Sequence, residues 1–530
     1  METLKLGPRN PVLTQFDEKD VLCEVDLFLE HCEKKLVTNE TINDINMETF
    51  KYCKQAKMQR TPRYIQMTYD YLKNEKIKAV PFDKGLGFCL MTEQDYLKKL
   101  EKIINLRQFV IETRARINAK DPVLKEEERV NNALKKLCND GKLDDDLRKK
   151  LKSTGAKPAR LYGLAKVHKD EVPFRPIVSM PATAYDNIGK WISKWLNFVP
   201  ESRINTSTSN VSKEIRKLRL EHDESLVSFD VTQLYTHVPL DESIEMAAVK
   251  LYEIRDDVPV DINTFIELAK LACSNILIKT HMGYVRQIDG LAMGIQCAPQ
   301  LANIWMAAFD NSIKDDSVFY KRYMDDILRV IKKHEIGSTL ERINQLHPNL
   351  AFTKELEKKD GTIAFLDMNI IHRTDGTIET EWYRKKTDTG LTINFHALAP
   401  MKYKRSMVIN LVYRIFNATS SWELFDKGLT EAKKILKNHQ YPEHWYEDII
   451  YKTIEKIQTC EKKDTEDEEE RKMIFIQYRG VITDRFVQRL KETGAPIKPI
   501  LTLRKIKTVM PSMKQKVDKV VTSNYRKFAT

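Results

Sequence analysis

Two adjacent carboxylates set between apolar runs constrain this 530-residue chain more than any other feature. Tyr323-Met324-Asp325-Asp326 follows Val318-Phe319-Tyr320 and precedes Ile327-Leu328-Arg329-Val330-Ile331. Runs of this kind read as strands, so two strands meet at a turn that carries the acidic pair. Apolar flanks partly dehydrate a carboxylate, and unpaired buried charge is costly. Either a basic side chain or a divalent cation offsets the pair, or the segment is an ordinary acid-rich hairpin turn. A third carboxylate separates these readings. Leu226-Val227-Ser228-Phe229-Asp230-Val231 is a strand with one acid inside it, which is unusual unless that acid is paired or metal-bound. If this strand lies beside the 318–331 hairpin, Asp230 and Asp325 can share divalent ions. Two ions about 3.5–4 Å apart on shared carboxylates activate an attacking hydroxyl and stabilise a leaving oxygen, which is nucleotidyl-transfer chemistry. Mg²⁺ suits the task because it prefers oxygen ligands and keeps positions open for phosphate and water, with Mn²⁺ as a substitute.

Around that centre the residue pattern divides the chain. The first 155 residues favour helix, interrupted by Ile77-Lys78-Ala79-Val80 and Phe88-Cys89-Leu90-Met91, a strand pair about a Gly-containing turn. Residues 121–152 are charged and helix-favouring and end at Thr154-Gly155, a candidate boundary. From 161 to 383, β-type runs at 176–179, 226–231, 318–323, 327–331 and 363–371 alternate with helical stretches, which points to an α+β domain. Asp375-Gly376 reads as a two-residue hairpin turn. Beyond it, Val408, Leu411, Val412, Ile415 and Phe416 occupy one face of a helix, and helix dominates to Cys460. Residues 461–472 form a charge-dense linker. From 497 to 530 nine Lys/Arg stand against one acid, Asp518, as a basic tail.

Composition narrows the class. The chain is 42% hydrophobic and 31% charged, which excludes a collagenous or wholly disordered polypeptide. No apolar stretch reaches the length of a membrane span, so no membrane partner is expected. The eight cysteines never form a Cys-x-x-Cys pair and the 11 His are scattered, so neither a disulfide framework nor a zinc ribbon is expected. With 88 Lys+Arg against 76 Asp+Glu, the net charge of +12 favours an anionic partner, nucleic acid first.

Taken in order, these motifs resemble the reverse transcriptases of Penelope-like retroelements over residues 70–520. Ser228-Phe229-Asp230-Val231 with Leu234-Tyr235-Thr236 and Val238-Pro239-Leu240-Asp241 is similar to motif A of that family. Gly290-Leu291-Ala292-Met293-Gly294 through Ala298-Pro299-Gln300-Leu301-Ala302-Asn303 resembles motif B, and Tyr323 to Asp326 resembles motif C. Tyr162-Gly163-Leu164, Lys166, His168-Lys169 and Arg175-Pro176-Ile177-Val178-Ser179 resemble its fingers motifs. Phe365-Leu366-Asp367 through Tyr383-Arg384-Lys385 resembles its primer-gripping hairpin, and Asp83-Lys84-Gly85 a recurrent N-terminal segment. Ile295, Gln296 and Ala298 depart from the Ser and Pro usual in motif B, and Met324 replaces the commoner Val or Ala of motif C.

The resemblance implies roles. Asp230, Asp325 and Asp326 correspond to the catalytic carboxylates, with the Val231 carbonyl completing the sphere of two Mg²⁺ ions. Arg175 with Lys166 or Lys169 corresponds to cations that clamp the incoming triphosphate, Arg as a fork and Lys as a point charge. Tyr235 corresponds to an aromatic gate against a ribose 2′-OH, its alternative being a core aromatic. Gly294 would let backbone approach the base pair, with an ordinary turn as the alternative. Tyr323, Met324 and Pro299 would border primer and template. Lys354 is a candidate proton donor to pyrophosphate, or a solvated lysine. Lys402, Lys404 and Arg405 would track duplex backbone by charge, or serve as ordinary flanking surface charge.

The implied whole is an RNA-directed DNA polymerase with a right-hand architecture, taking an RNA template, a DNA primer or target and dNTPs. Residues 1–155 would be a mostly helical N-terminal accessory lobe and 156–385 the fingers and a ferredoxin-like palm. Residues 386–480 would form a helical thumb and 481–530 a basic tail. Neither Gly-Ile-Tyr nor Tyr-Ile-Gly occurs, so the GIY-YIG endonuclease of most members is not expected in this polypeptide. Either the lineage lacks it or the reading frame stops before it. Nuclear action follows from the family's need for chromosomal DNA, with 148–152 (Arg-Lys-Lys-Leu-Lys) as a weak candidate signal. Two other readings stay open: a domesticated nucleic-acid-binding protein without turnover, and an RNA-dependent RNA polymerase.

Overall fold

Strand Glu224–Val231 buries Leu226, Val227, Phe229 and Val231, so it needs neighbours on both edges and cover on both faces. The computed structural model supplies both; it describes residues 11–12, 16, 18–34, 38–59, 63–85, 87–106, 109–111, 121–167, 169–203, 205–385, 388–459, 472–493, 497–502 and 507–508. His168, the charge-dense stretch to residue 471 and the basic residues beyond 508 lie outside the described residues. The strand is an inner member of a four-stranded antiparallel sheet ordered Tyr320–Tyr323, Asp326–Lys332, Glu224–Val231, Phe352–Leu356. Helices, among them Leu240–Ile254 and Ile262–Cys273, precede the hairpin, and Ile336–Asn344 precedes the last strand. The order is the β-α-β-β-α-β of a ferredoxin-like palm.

Alternation sorts the two faces of this sheet. Leu226, Leu328 and Val330 share a face and pack in one core with Ile363, Phe365, Met368, Ile370 and Ile378. Those residues belong to a three-stranded antiparallel sheet of Thr362–Phe365, Met368–His372 and Ile378–Trp382. The apolar run 363–371, read above as one strand, contains a turn at Leu366-Asp367, where Leu366 takes φ +55. The Asp375-Gly376 turn stands where the residues indicate, with Gly376 at φ +82.

A third sheet, of five strands, is ordered Phe109–Ile111, Gly283–Gln287, Ile276–Thr280, Ala159–Ala165, Phe174–Ser179. Residue patterning found only the last of these. Ala159–Ala165 escaped because three of its four buried positions are the small residues Ala159, Gly163 and Ala165. Gly163 is required there, since a Cβ would stand 2.2 Å from the Phe174 ring.

The helix expected over 121–152 is two helices, Pro122–Asn139 and Asp145–Leu151, broken at Gly141 with φ +69. Asp121 and Asp144 cap them by accepting from the Val123 and from the Asp146 and Leu147 amides. Glu126 ties the first helix to the five-stranded sheet. Its carboxylate accepts from Arg129 Nε at 2.7 Å, Arg286 Nη2 at 2.9 Å and the Tyr185 hydroxyl at 2.8 Å. The Tyr185 oxygen in turn accepts from the Leu277 amide at 3.0 Å. Burial raises the Glu126 pKa, but the two arginines outweigh it and hold the carboxyl below its ordinary range.

The chain divides into two compact units, one of Gln94–Arg384 with Asn417–Phe425, the other of Met1–Glu93, Lys385–Phe416 and Asp426–Thr530. This division differs from the boundaries expected above, at residue 155 from the residue pattern and at 480 from the resemblance. Two interactions account for it. The Glu126 network draws 122–139 into the sheet-bearing unit. In the other unit, helices Glu18–Lys34 and Asn39–Met58 share a core with the parallel strands Lys472–Gln477 and Ile497–Thr502 and the helix Val481–Glu492 between them. Tyr52 stacks on Phe486 at 4.7 Å and donates its hydroxyl to the Gln477 carbonyl at 2.7 Å. The segment read as a basic tail thus begins as structured chain. The same unit holds the 77–81 and 88–92 hairpin and most of three helices, Met401–Ala418, Trp422–Asn438 and Glu443–Thr459. Val408, Val412 and Ile415 are buried, as their spacing indicates.

No helix among the described residues is long and apolar enough to cross a membrane. Cys23, Cys53, Cys89, Cys138, Cys273 and Cys297 carry free thiols. Glu126→Ala should remove about 3 kcal/mol or more from the sheet-bearing unit, because Arg286 and the Tyr185 hydroxyl lose their buried partner. Hydrogen exchange checks this: protection should fall across 122–139 and 276–287, and wild-type protection there would contradict the tie.

Candidate active site

Hairpin geometry delivers the carboxylates. Tyr323 pairs with Asp326, which leaves Met324 and Asp325 as the two turn residues. Met324 takes φ +55, the positive φ that tight hairpin turns require and that a side chain makes costly. Across the next strand Asp326 pairs with Asp230, and Asp230 pairs with Thr353 on the fourth. Directly opposed residues share a face, so Asp326, Asp230 and Thr353 form one row. The Asp325 carbonyl accepts from the Val231 amide at 3.2 Å, which fixes the turn against the end of the neighbouring strand.

One oxygen from each of Asp230, Asp325 and Asp326 lies within 4.8 Å of the others. Asp230 is exposed and its two partners are half-buried. Among the described residues this is the one cluster of three or more acids, His or Cys with metal-holding geometry. Three hard oxygen donors open to solvent fit Mg²⁺ or Mn²⁺ rather than a metal that prefers sulfur or imidazole. Lys354 pairs with the buried Phe229, one residue out of step with Asp230. Its side chain therefore leaves the sheet on the face away from the carboxylates.

Tyr235 belongs to a short helix, Leu234–His237, entered through Gln233 at φ +52. Burial pushes its phenol up to about 12, the Asp325 and Tyr323 charges add to this, and Arg175 opposes it. The ring therefore stands in the field of both the carboxylate turn and Arg175, and its hydroxyl stays protonated at neutral pH.

Backbone bonds of the glycine-rich loop 290–294 join those groups. The Leu291 amide donates to the Tyr235 carbonyl at 2.7 Å, and the Val178 amide donates to the Met293 carbonyl at 2.9 Å. A Cβ on Gly290 would stand 2.8 Å from the Thr236 carbonyl oxygen. One on Gly294, at φ +140, would stand 1.9 Å from the Val178 oxygen. The close approach that Gly294 serves in this structure is to its own chain, at the strand that carries Arg175.

Lys166 lies at the base of the 166–173 loop, its amide donating to the Pro173 carbonyl at 2.9 Å, whereas Lys169 is exposed near the loop's tip. Pro299 is exposed in the first turn of helix Ala298–Ala307, and Tyr323 is 44% exposed beside the half-buried Met324. Lys402 and Arg405 are exposed at the start of helix Met401–Ala418 in the other compact unit. Lys404 differs: it is only 6% exposed, its ammonium lies 5.5 Å from the Phe395 centroid, and burial lowers its pKa against the pull of Asp484. It is a packed cation rather than a surface one.

Three polar residues at the carboxylate turn, Arg322, Asp310 and Asn205, went unread in the sequence, and Asn303 was read only as part of motif B. Arg322 is 3% exposed and donates to Asp310 through Nε at 2.7 Å and Nη2 at 2.8 Å. Its Nη1 donates to Asn303 Oδ1 at 3.1 Å and to the Met324 carbonyl at 3.3 Å. Asn205 Oδ1 accepts from the Met324 amide at 2.8 Å. The available signal was a basic residue two positions before the turn, one of three with Lys321 and Arg329 between Val318 and Ile331.

Residues 167–357 match the family described as reverse transcriptase (RNA-dependent DNA polymerase), and residues 391–451 match the animal helix-turn-helix domain. No curated protein matches the chain. Among solved structures it is similar to a telomerase from Candida albicans in complex with a fragment of telomeric RNA, at 11% identity and TM-score 0.46, covering 86% of this chain and 72% of that one. It is also similar to the apo telomerase of Candida tropicalis, at 12% identity and TM-score 0.36 over 71% and 68% of the two chains. A Sicinivirus RNA-dependent RNA polymerase is similar at 10% identity and TM-score 0.37 over 66% and 74%.

Gly294→Ala should cost about 1–3 kcal/mol, the strain of a side chain at positive φ against a backbone oxygen. The amide of Val178 reports it directly: its hydrogen-exchange protection should fall, and unchanged protection would show that the loop does not rest on this contact.

Proposed function

We propose that this chain, whose residues 167–357 match the reverse transcriptase family, extends a DNA primer on an RNA template by two-metal-ion nucleotidyl transfer. The observation that carries the reading is the convergence of Asp230, Asp325 and Asp326 on one solvent-open face. Asp230 and Asp325 would be the direct ligands of two Mg²⁺ ions, with Asp326 and the Val231 carbonyl completing the donor set. Bound there, such ions lower the pKa of a primer hydroxyl and neutralise charge on the leaving pyrophosphate.

The chain's own groups do the rest. Arg175 offers a forked donor to triphosphate oxygens, and Lys166 or Lys169 adds a point charge. The Tyr235 ring, rigid in its short helix and joined to loop 290–294, stands where a ribose 2′-OH would meet it. Its protonated phenol adds no negative charge beside Asp325. Tyr323, Met324 and Pro299 border the path of primer and template. Lys402 and Arg405 lie on a helix that matches the animal helix-turn-helix family, which supports a thumb-like role on duplex backbone for residues 386–480.

Affiliation with Penelope-like retroelements rests on the order of the motifs from Asp83-Lys84-Gly85 to Tyr383-Arg384-Lys385. It carries with it action on chromosomal DNA in the nucleus. An RNA-dependent RNA polymerase shares the palm chemistry, and a binding protein without turnover would share the basic surfaces.

Primer extension on an RNA template with Mg²⁺ separates these three. Wild-type protein should incorporate dNTPs, and Asp325→Ala should abolish incorporation while leaving template–primer binding in place. Tight binding without extension by the wild type would favour the binding protein, and ribonucleotide preference would favour the RNA polymerase. Tyr235→Ala should shift sugar selectivity toward ribonucleotides by about 10–200-fold, the range a small steric difference in a pocket commands. Unchanged selectivity would remove the gate assignment.

A further inference from the structure

The most strained position of the carboxylate turn is held on both sides by side chains that no motif includes. Met324 occupies the left-handed region at φ +55, and its peptide groups lead directly into Asp325. Its amide donates to Asn205 Oδ1 at 2.8 Å, and its carbonyl accepts from Arg322 Nη1 at 3.3 Å. Neither holder is loose. Asn205 pairs as a β-bridge with Tyr323, and the Thr206 amide donates to the Arg322 carbonyl at 2.9 Å. Arg322 is gripped by both oxygens of Asp310, which also accepts from the Tyr320 hydroxyl at 2.6 Å. Its remaining fork reaches Asn303 on helix Ala298–Ala307, the helix that follows the glycine-rich loop.

We propose that Asn205 and Arg322 are positioning residues that clamp Met324 in its left-handed conformation and so aim the Asp325 carboxylate at Asp230. The inference rests on the polymerase reading above and deepens it at the same site. A residue in a sparsely populated backbone region persists only where its surroundings over-determine it. Here the peptide unit before Met324 is fixed by Asn205, from outside the hairpin, and the one after it by Arg322, from the hairpin's first strand. Without the clamp the turn can relax toward negative φ, which rotates the following peptide and carries Asp325 away from the row formed by Asp230 and Asp326. The guanidinium serves through its fork. It is the planar pairing with Asp310 that leaves Nη1 pointing at the Met324 carbonyl, and a lysine ammonium cannot reproduce that geometry. Arg322 enters paired with the half-buried Asp310 and adds no net charge beside the carboxylates.

The test uses the full chain, with Asn205→Ala as the surface variant, Arg322→Lys as the charge-preserving variant and Asp325→Ala as the reference for a lost ligand. Electron paramagnetic resonance of Mn²⁺ reports ion affinity without nucleic acid or turnover. Both clamp variants should weaken Mn²⁺ binding by about 10–100-fold, the range for loss of an outer partner of a metal ligand. In primer extension they should lower kcat by a similar factor, with template–primer Kd and dNTP KM within about twofold of wild type. Met324→Gly in the Asn205→Ala background should restore part of the ion affinity, because glycine holds positive φ without help. A purely structural role predicts no such rescue. Mn²⁺ affinity and kcat within twofold of wild type in both clamp variants would overturn the proposal. Weakened Mn²⁺ binding in a protein whose wild type never extends a primer would leave the clamp standing and remove the polymerase reading. Normal extension by wild type and clamp variants alike would do the reverse.

Discussion

The pairing of Asp326 with Asp230 across two antiparallel strands is the constraint on which the site depends. Side chains alternate along a strand, so a slip of one residue would send Asp230 to the face occupied by Phe229 and replace it with an apolar neighbour. The register is held from both sides. Leu226, Leu328 and Val330 must meet the 362–382 sheet, and Val227, Phe229 and Ile327 must be buried on the other face. Burial of the strands therefore places the acids, and the acids add little to the choice of fold. This is why three like charges can stand together at the open end of an apolar sheet: the cost of their repulsion falls on a structure already fixed by its core, and a divalent cation bound there would relieve it.

A second dependence runs through backbone rather than side chains. Loop 290–294 bonds to Tyr235 on one side and to Val178 on the other, so the ring near Asp325 and the strand of Arg175 are set by one short glycine-rich segment. Gly294 illustrates how a motif residue can be right while its immediate partner is not foreseeable. A glycine at positive φ announces a close approach, but sequence does not say to what. Here the neighbour in the structure is the Val178 oxygen.

What could be read in the residues was local or strongly patterned. The acidic turn, the 77–92 hairpin, the Asp375-Gly376 turn and the amphipathic face of Val408, Val412 and Ile415 all follow from short-range rules of period and turn chemistry. The association of helices Glu18–Lys34 and Asn39–Met58 with strands some 430 residues later was not legible, because nothing in an apolar helix face names its partner. Nor were Asn205, Arg322 and Asp310, whose bonds join residues up to 119 positions apart. Lys404 shows the opposite failure. Beside Lys402 and Arg405 it reads as surface charge, yet the helix turns it inward onto Phe395. The net charge of +12 likewise conceals an acidic centre, which composition cannot display.

The central claim is that these three carboxylates are a divalent-ion site. Crystals of the full chain grown with Mn²⁺ and measured at the manganese absorption edge test it most directly. Anomalous density should appear within coordination distance of both Asp230 and Asp325. Well-ordered carboxylates with no anomalous density between them, at an Mn²⁺ concentration that populates other sites on the protein, would contradict the account.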